Sequence, residues 1–255
     1  MKVCIVIATH KKYRMPEDSI YCPVHVGSAE KDSIGYQRDD DGENISKKNP
    51  CYCELTGLYW AWKNAEFDYL GLAHYRRHFS VSKKGKDPFD NILTAEELEI
   101  LLRNNDILLP KKRMYYIETL ESHFNHIRVT LDEDLGILRN AIMKVDASYV
   151  SAFDKCIARR GGHMFNMFIM KKEYANSYCK WLFDVLFTVE EKVNLSTEIH
   201  PSRRRIIGYL AEFMLDIWIE RNKMPYKEIN TVFMERENEV RKIYKFLIRK
   251  FRFNK

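Results

Sequence analysis

The chain has 255 residues, 45% of them hydrophobic and 31% charged, with ten Gly and seven Pro. This excludes a disordered or low-complexity protein and leaves enough chain for one α/β domain with a substantial core. The formal net charge of +6 is unevenly spread, because residues 241–255 carry seven Lys or Arg and no acid; confined to one terminal helix, they give no groove-sized basic face for nucleic acid.

In chain order, "KVCIVIA" (2–8) is a β-branched run without alternation, as suits a first strand covered on both faces of a parallel sheet. It is too short for a secretory h-region, and no window approaches the eighteen apolar residues of a membrane span, so a cytoplasmic protein is expected. "YCPVHVG" (21–27) reads as a second extended segment. Residues 28–50 are polar and turn-rich, a long loop of the kind that binds a ligand or stays disordered. "CELTGLYWAWKNA" (53–65) sets Leu55, Leu58, Tyr59 and Trp62 at helical spacing, and "FDYLGLAHY" (67–75) returns to strand. Thr94 with Glu97 three residues on forms a capping box, which predicts a helix over 94–105, followed by a short strand over 106–112 that ends at Pro110. After mixed helical patterns over 118–160 comes strand character at 163–172, then an amphipathic helix over 173–193. A last helix, 203–221, has Ile206, Leu210, Phe213 and Ile217 on one face. This order predicts a mixed α/β sheet flanked by helices, with ligands outside the carboxyl ends of its strands.

The stretch "GLAHYRRHF" (71–79) falls at such an end. Its two guanidiniums, Arg76 and Arg77, offer planar forks suited to a diphosphate, although pairing with surface carboxylates explains them as well. His74 is a candidate hydrogen-bond donor to the same ligand, or a satisfied buried imidazole. "NPCYCELTGLYWAWKN" (49–64) sets aromatics such as Trp60 beside Asn49, Glu54 and Asn64, a mixture that suits the apolar faces and hydroxyls of a sugar; an aromatic core helix accounts for the aromatics alone. His163 and Asn166, inside an apolar run, and Tyr209 are further candidates for contact with substrate. Glu212, and behind it Glu54, is a candidate base if burial raises its pKa. Asp39 and Asp41 spell a D-x-D able to hold Mg²⁺ or Mn²⁺, but a solvated turn is the favoured reading and no metal is assigned. The six cysteines lack zinc-like pairing and read as reduced structural thiols. There is no Walker loop, G-x-G-x-x-G, H-E-x-x-H or G-x-S-x-G.

Taken together, "ATHKKYRMP", "PVHVGSA", "DGENISKKNPCYCELTGLYWAWKN", "YLGLAHYRRHF", "LLPKKRMYYIETLESHF", "HMFNMFIMKKEYANSYCKWLFDVLF" and "RIIGYLAEF" resemble the bacterial domain-of-unknown-function 4422 family of capsular and exopolysaccharide glycosyltransferases. The resemblance runs from residue 8 to about 213. It implies one GT-A-like, Rossmann-like nucleotide-sugar domain over 1–235, transferring a sugar, with UDP-galactose in either ring form among the donors, to a capsular, exopolysaccharide or O-antigen glycan. It also implies that the end of the first strand, Ala8, Thr9, His10 and Lys11, receives the nucleotide. His74, Tyr75, Arg76 and Arg77 stand where such folds carry their metal-binding Asp pair, so cations are expected to replace the ion, with no cofactor assigned and Mg²⁺ or Mn²⁺ not favoured. The basic stripe of 241–255, within a terminal helix over 236–255, reads as an anchor to the inner leaflet, near a lipid-linked acceptor. The rival reading is a non-catalytic glycan-binding or scaffold subunit of a polysaccharide-assembly complex.

Overall fold

A computed structural model of the protein describes residues 1–127 and 129–235. Among the described residues, ten strands and nine α-helices follow one another. β1 (Val3–Thr9), β2 (Tyr21–His25) and β3 (Gln37–Arg38) precede α1 (Asn49–Tyr52) and α2 (Leu55–Asn64). Next come β4 (Tyr69–His74), β5 (Arg77–Ser80), α3 (Ala95–Leu102), β6 (Ile107–Pro110) and β7 (Arg113–Met114). The helices α4 (Leu120–Asn125), α5 (Asp134–Asp146) and α6 (Val150–Ile157) then lead to β8 (Gly161–Gly162), β9 (Phe168–Lys171) and α7 (Lys172–Glu190). The described chain closes with α8 (Ile206–Ala211), α9 (Met214–Asn222) and β10 (Lys227–Phe233).

The sheet is mixed. β3, β2, β1 and β4 run parallel, and β4 then pairs antiparallel with both β5 and β9. β10 lies antiparallel to β5 and parallel to β6, and β6 pairs with β9, so the second half of the sheet curls into a closed ring of pairings. Strand alternation builds the core. On β1, Cys4, Val6 and Ala8 face one apolar cluster while Ile5 and Ile7 face the other, and on β4 Leu70 and Leu72 oppose Tyr69 and Ala73. Each such aliphatic side chain withdrawn from water contributes about 1.5–3 kcal/mol. At Gly71, between them, an added Cβ would sit 3.0 Å from the Phe168 carbonyl and 3.1 Å from Ile5, so glycine is what lets β4 and β9 pair closely.

The capping box is present, with Thr94 Oγ1 accepting from the Glu97 amide and Glu97 accepting from the Thr94 amide. The expected loop over 28–50 is ordered instead by one residue: Asp39, fully buried, accepts hydrogen bonds from the amides of Gly27 and Ser28 and the hydroxyls of Ser28, Ser46 and Thr56. These five donors tie the loop to α2. The helix expected over 53–65 is present as α2, whose N-cap is Glu54; Cys53, with a φ of 52°, closes the short α1 just before it. One helix read as continuous is broken. The 203–221 segment divides at Glu212 and Phe213, between α8 and α9. Nor does 71–79 simply leave the sheet: Tyr75 and Arg76 form a two-residue turn, and Arg77 starts β5 opposite His74. Sequence periodicity gave no sign of β10. Among the described residues no helix is long and apolar enough to cross a membrane. The expected basic helix over 236–255 lies outside the described residues.

Candidate active site

Two helix ends open toward the carboxyl edge of β4, and each presents a glutamate: Glu54 at the N-cap of α2, and Glu212 in the break between α8 and α9. Glu54 accepts a hydrogen bond from Asn166 Nδ2 at 2.7 Å and lies 4.0 Å from His74 Nε2. His74 Nε2 itself donates to the Phe165 carbonyl at 2.7 Å. Phe165 and Asn166 occupy left-handed backbone (φ 84° and 57°), a costly pair for residues other than glycine and a common mark of functional turns. Burial above all, with Arg77 also unfavourable to a second cation, lowers the His74 pKa, so its imidazole is neutral.

Glu212 stands in the wall of a 170 Å³ cavity together with Arg113, Tyr115, Met164, Phe165 and Tyr209. Burial, and then the nearby Glu54 carboxylate, push its pKa up to about 7 against the opposing pull of Arg77, Arg113 and Arg205. Among the described residues nothing donates a hydrogen bond to it. Arg77 is half-buried, its guanidinium 3.6 Å from the centre of the Phe165 ring and 5.1 Å from that of Phe233, and its Nε has no partner. Desolvation lowers its pKa to about 10, which leaves it cationic at neutral pH. Arg205 Nε reaches Cys53 Sγ at 3.4 Å, and its guanidinium lies 5.8 Å from the Tyr209 ring centre. Two carboxylates thus share their surroundings with three guanidiniums. Such a site can take up a proton at one end and stabilise developing negative charge at the other.

The expected nucleotide side adjoins this centre. Tyr75, buried, accepts its neighbours around one ring: His10 edge-on at 5.5 Å, Lys11 Nζ at 5.3 Å and Arg76 at 5.1 Å from the ring centre. The Tyr75 amide donates to the Ala8 carbonyl, and Thr9, buried, spends its hydroxyl on the Lys11 backbone. Burial and the charges of Lys11, Arg76, Lys31 and Arg205 all lower the His10 pKa, which reveals a positive field along this edge. Arg76 and Arg77, alike in sequence, part company here: Arg76 is 55% exposed and paired with Glu235 at 3.4 Å.

The structure brings Glu54, His74, Arg77, Asn166, Tyr209 and Glu212 together. Four other candidates for contact with substrate have internal duties. His163 is fully buried, with Nδ1 donating to Asp216 at 2.5 Å and Nε2 3.0 Å from Glu228, so both ring nitrogens are engaged. Trp60 is packed into the core of α2 and leaves no face for a sugar. Asn49 donates to the Cys53 carbonyl and to Thr56, and Asn64 to the Glu43 and Trp60 carbonyls, holding the loop in place. Arg113, Tyr115 and Arg205 join the centre without having been singled out in the sequence. The signal for them was only their position inside the "LLPKKRMYYIETLESHF" block and beside "RIIGYLAEF". The D-x-D does not fit a divalent ion: Asp39 is enclosed by its five donors, and Asp41 accepts from Gln37 Nε2. Among the described residues no group of three or more His, Cys, Asp or Glu is arranged to hold a metal.

This fold is that of a glycosyltransferase-like α/β protein. The solved apo structure of WbbM, described as a bifunctional glycosyltransferase, superposes with a TM-score of 0.85 and 30% identity, covering 93% of this chain. The chain spans 46% of the length of that protein. The chain belongs to the family named Domain of unknown function (DUF4422), whose model matches residues 4–223. No curated protein matches it.

Proposed function

We propose that this chain is a GT-A-type glycosyltransferase that moves a sugar from a nucleotide diphosphate donor, UDP-linked by preference, to a hydroxyl of a growing bacterial surface glycan. The observation that carries the reading is the Glu212 carboxylate, its pKa near 7, set beside Glu54 and three guanidiniums at the carboxyl edge of the parallel strands. In a single displacement the acceptor oxygen bonds to the anomeric carbon as the bond from that carbon to the diphosphate oxygen breaks. The acceptor's proton passes to Glu212 and the electron pair leaves with the diphosphate. A carboxylate poised near neutral pH suits the first task, since it is ionised often enough to act and basic enough to take the proton. Arg77, a half-buried guanidinium that stays cationic at neutral pH, suits the second, with Arg76 and Lys11 extending the positive field toward the nucleotide. Asn166 orients Glu54 for contact with sugar hydroxyls, and Tyr209 gives the sugar an apolar wall.

The test is a thermal-shift series with UDP and UDP-sugars, in EDTA and with Mn²⁺, on wild type and Arg77→Ala. Stabilisation by a uridine diphosphate that persists in EDTA and is lost in the variant supports a donor site built on cations. Stabilisation only with Mn²⁺ rejects the cationic replacement of a metal. Absence of any nucleotide effect rejects the transferase reading in favour of a glycan-binding subunit.

A further inference from the structure

From β7 to the start of α4 the chain crosses the cavity rim as a strap, residues 113–119, with an unusual surface. Met114 is 49% exposed, Tyr116 76% and Ile117 54%, whereas most large apolar side chains of this protein are buried. The exposure does not come from a loose loop. β7 pairs with β8 through Arg113 opposite Gly162 and Met114 opposite Gly161, and the Tyr115 amide donates to the Arg160 carbonyl at 2.8 Å. The Leu120 amide donates to the Arg159 carbonyl, Arg160 Nη1 donates to the Tyr116 carbonyl, and Glu118 is buried beneath. At Gly161 an added Cβ would lie 2.4 Å from Met114 Sδ, so the ribbon is closed tightly under the apolar tip. Tyr116 adopts φ 54°, a left-handed conformation that the fixed ends of the strap impose.

Cations flank the tip. Arg113 within the strap and Arg160, bonded to the Tyr116 carbonyl, are exposed, Lys111 is exposed two residues before the strap, and the exposed acid nearest in sequence, Glu121, lies beyond, inside α4. An apolar tip carrying a tyrosine, flanked by basic side chains on a rigid mount, matches the interface of an anionic bilayer: apolar groups enter the acyl boundary, the phenol sits at headgroup depth and the cations meet the lipid phosphates. We infer that the 113–119 strap is a membrane-docking element whose partner is an anionic lipid surface. Since Arg113 and Tyr115 also line the cavity, docking through the strap would turn the cavity mouth toward acceptors carried on lipid. The inference concerns the strap's surface and stands apart from the chemistry assigned to Glu212.

The test uses the full chain, so that the basic residues 241–255 are common to every sample. Wild type and Met114→Ser/Tyr116→Asn/Ile117→Ser are sedimented with phosphatidylglycerol-containing vesicles and with pure phosphatidylcholine vesicles; asparagine at 116 tolerates the left-handed backbone. Wild type is expected to bind the anionic vesicles, and the triple variant to bind at least about tenfold more weakly while its melting temperature and its nucleotide-induced shift stay those of wild type. Arg160→Ala is expected to lose about fivefold, the effect of one cation near an anionic surface. Ile117→Trp supplies a direct readout, a blue shift of its emission on adding anionic vesicles. Equal binding by wild type and the triple variant, no binding by wild type, or no spectral change at position 117 would each overturn the inference. So would a wild-type dimer in solution that the triple variant abolishes, which would assign the strap to a second copy of the chain.

Discussion

Asp39, fully buried, and Glu212, half-buried in the cavity wall, are acids with opposite fates. Asp39 is met by five donors, two amides and three hydroxyls, each within 3.0 Å. Its charge is fully compensated by fixed dipoles, and what it gains is a structured loop. Glu212 has burial and a second carboxylate against it, and only cations at a distance in its favour. Glu212, pushed up to about 7, is poised to change its protonation state near neutral pH. The contrast separates an acid that holds the fold from an acid available for chemistry.

Four substitutions test how far that contrast holds. Glu212→Gln is expected to lower the transfer rate about a hundred- to ten-thousandfold, the range for removing a general base, and to leave the fold intact. The rate of wild type should rise with pH through about 7 and that rise should vanish in the variant; a variant keeping the profile would assign the base elsewhere. The same ionisation marks stability. Because the folded pKa lies above the ordinary 4.5, the protonated form favours folding: the contribution is whole below about pH 4.5 and is lost as pH climbs through about 7. Glu212→Gln should therefore melt no lower than wild type above neutral pH, and its melting temperature should vary less between those limits.

Asp39→Ala is expected to act on the fold alone, costing about 3–5 kcal/mol in denaturant unfolding, because buried donors from Ser28, Ser46 and Thr56 lose their acceptor. A loss below about 1 kcal/mol would show that the loop is held by other contacts. Arg77→Ala should weaken UDP binding about ten- to a hundredfold by calorimetry, the value of a charge-assisted contact made by a partly desolvated guanidinium. Arg76→Ala should weaken it less than about threefold, since its side chain is exposed and shared with Glu235. Equal effects from the two arginines would mean that both reach the diphosphate.

Much of the framework was legible from local pattern. The unbroken β-branched run of β1 announced a doubly covered strand, and the Thr94–Glu97 pair announced the start of α3, because burial on two faces and helix capping are written in adjacent residues. The carboxyl edge of β4 was legible as a candidate site for the same reason: polar side chains follow an apolar strand. The break at Glu212 was not, since the apolar spacing of Ile206, Leu210, Phe213 and Ile217 continues across it. Periodicity records which faces are buried, and a break changes the path of the chain without changing that record.

What the sequence determined by itself, then, was the kind of residue available: a pair of arginines after a strand, glutamates within apolar runs, an acid-rich loop. Which of them lie together was decided only in three dimensions. The left-handed turn at Phe165 and Asn166 brings an amide to Glu54 from 112 residues away. The ring of pairings from β4 through β9, β6, β10 and β5 seats Arg77 between Phe165 and Phe233, while its neighbour Arg76 turns out to Glu235. Burial and proximity are properties of the packed chain: Asp39 and Glu212 carry the same functional group, and only their surroundings make one a clasp on the loop and leave the other without a hydrogen-bond donor among the described residues.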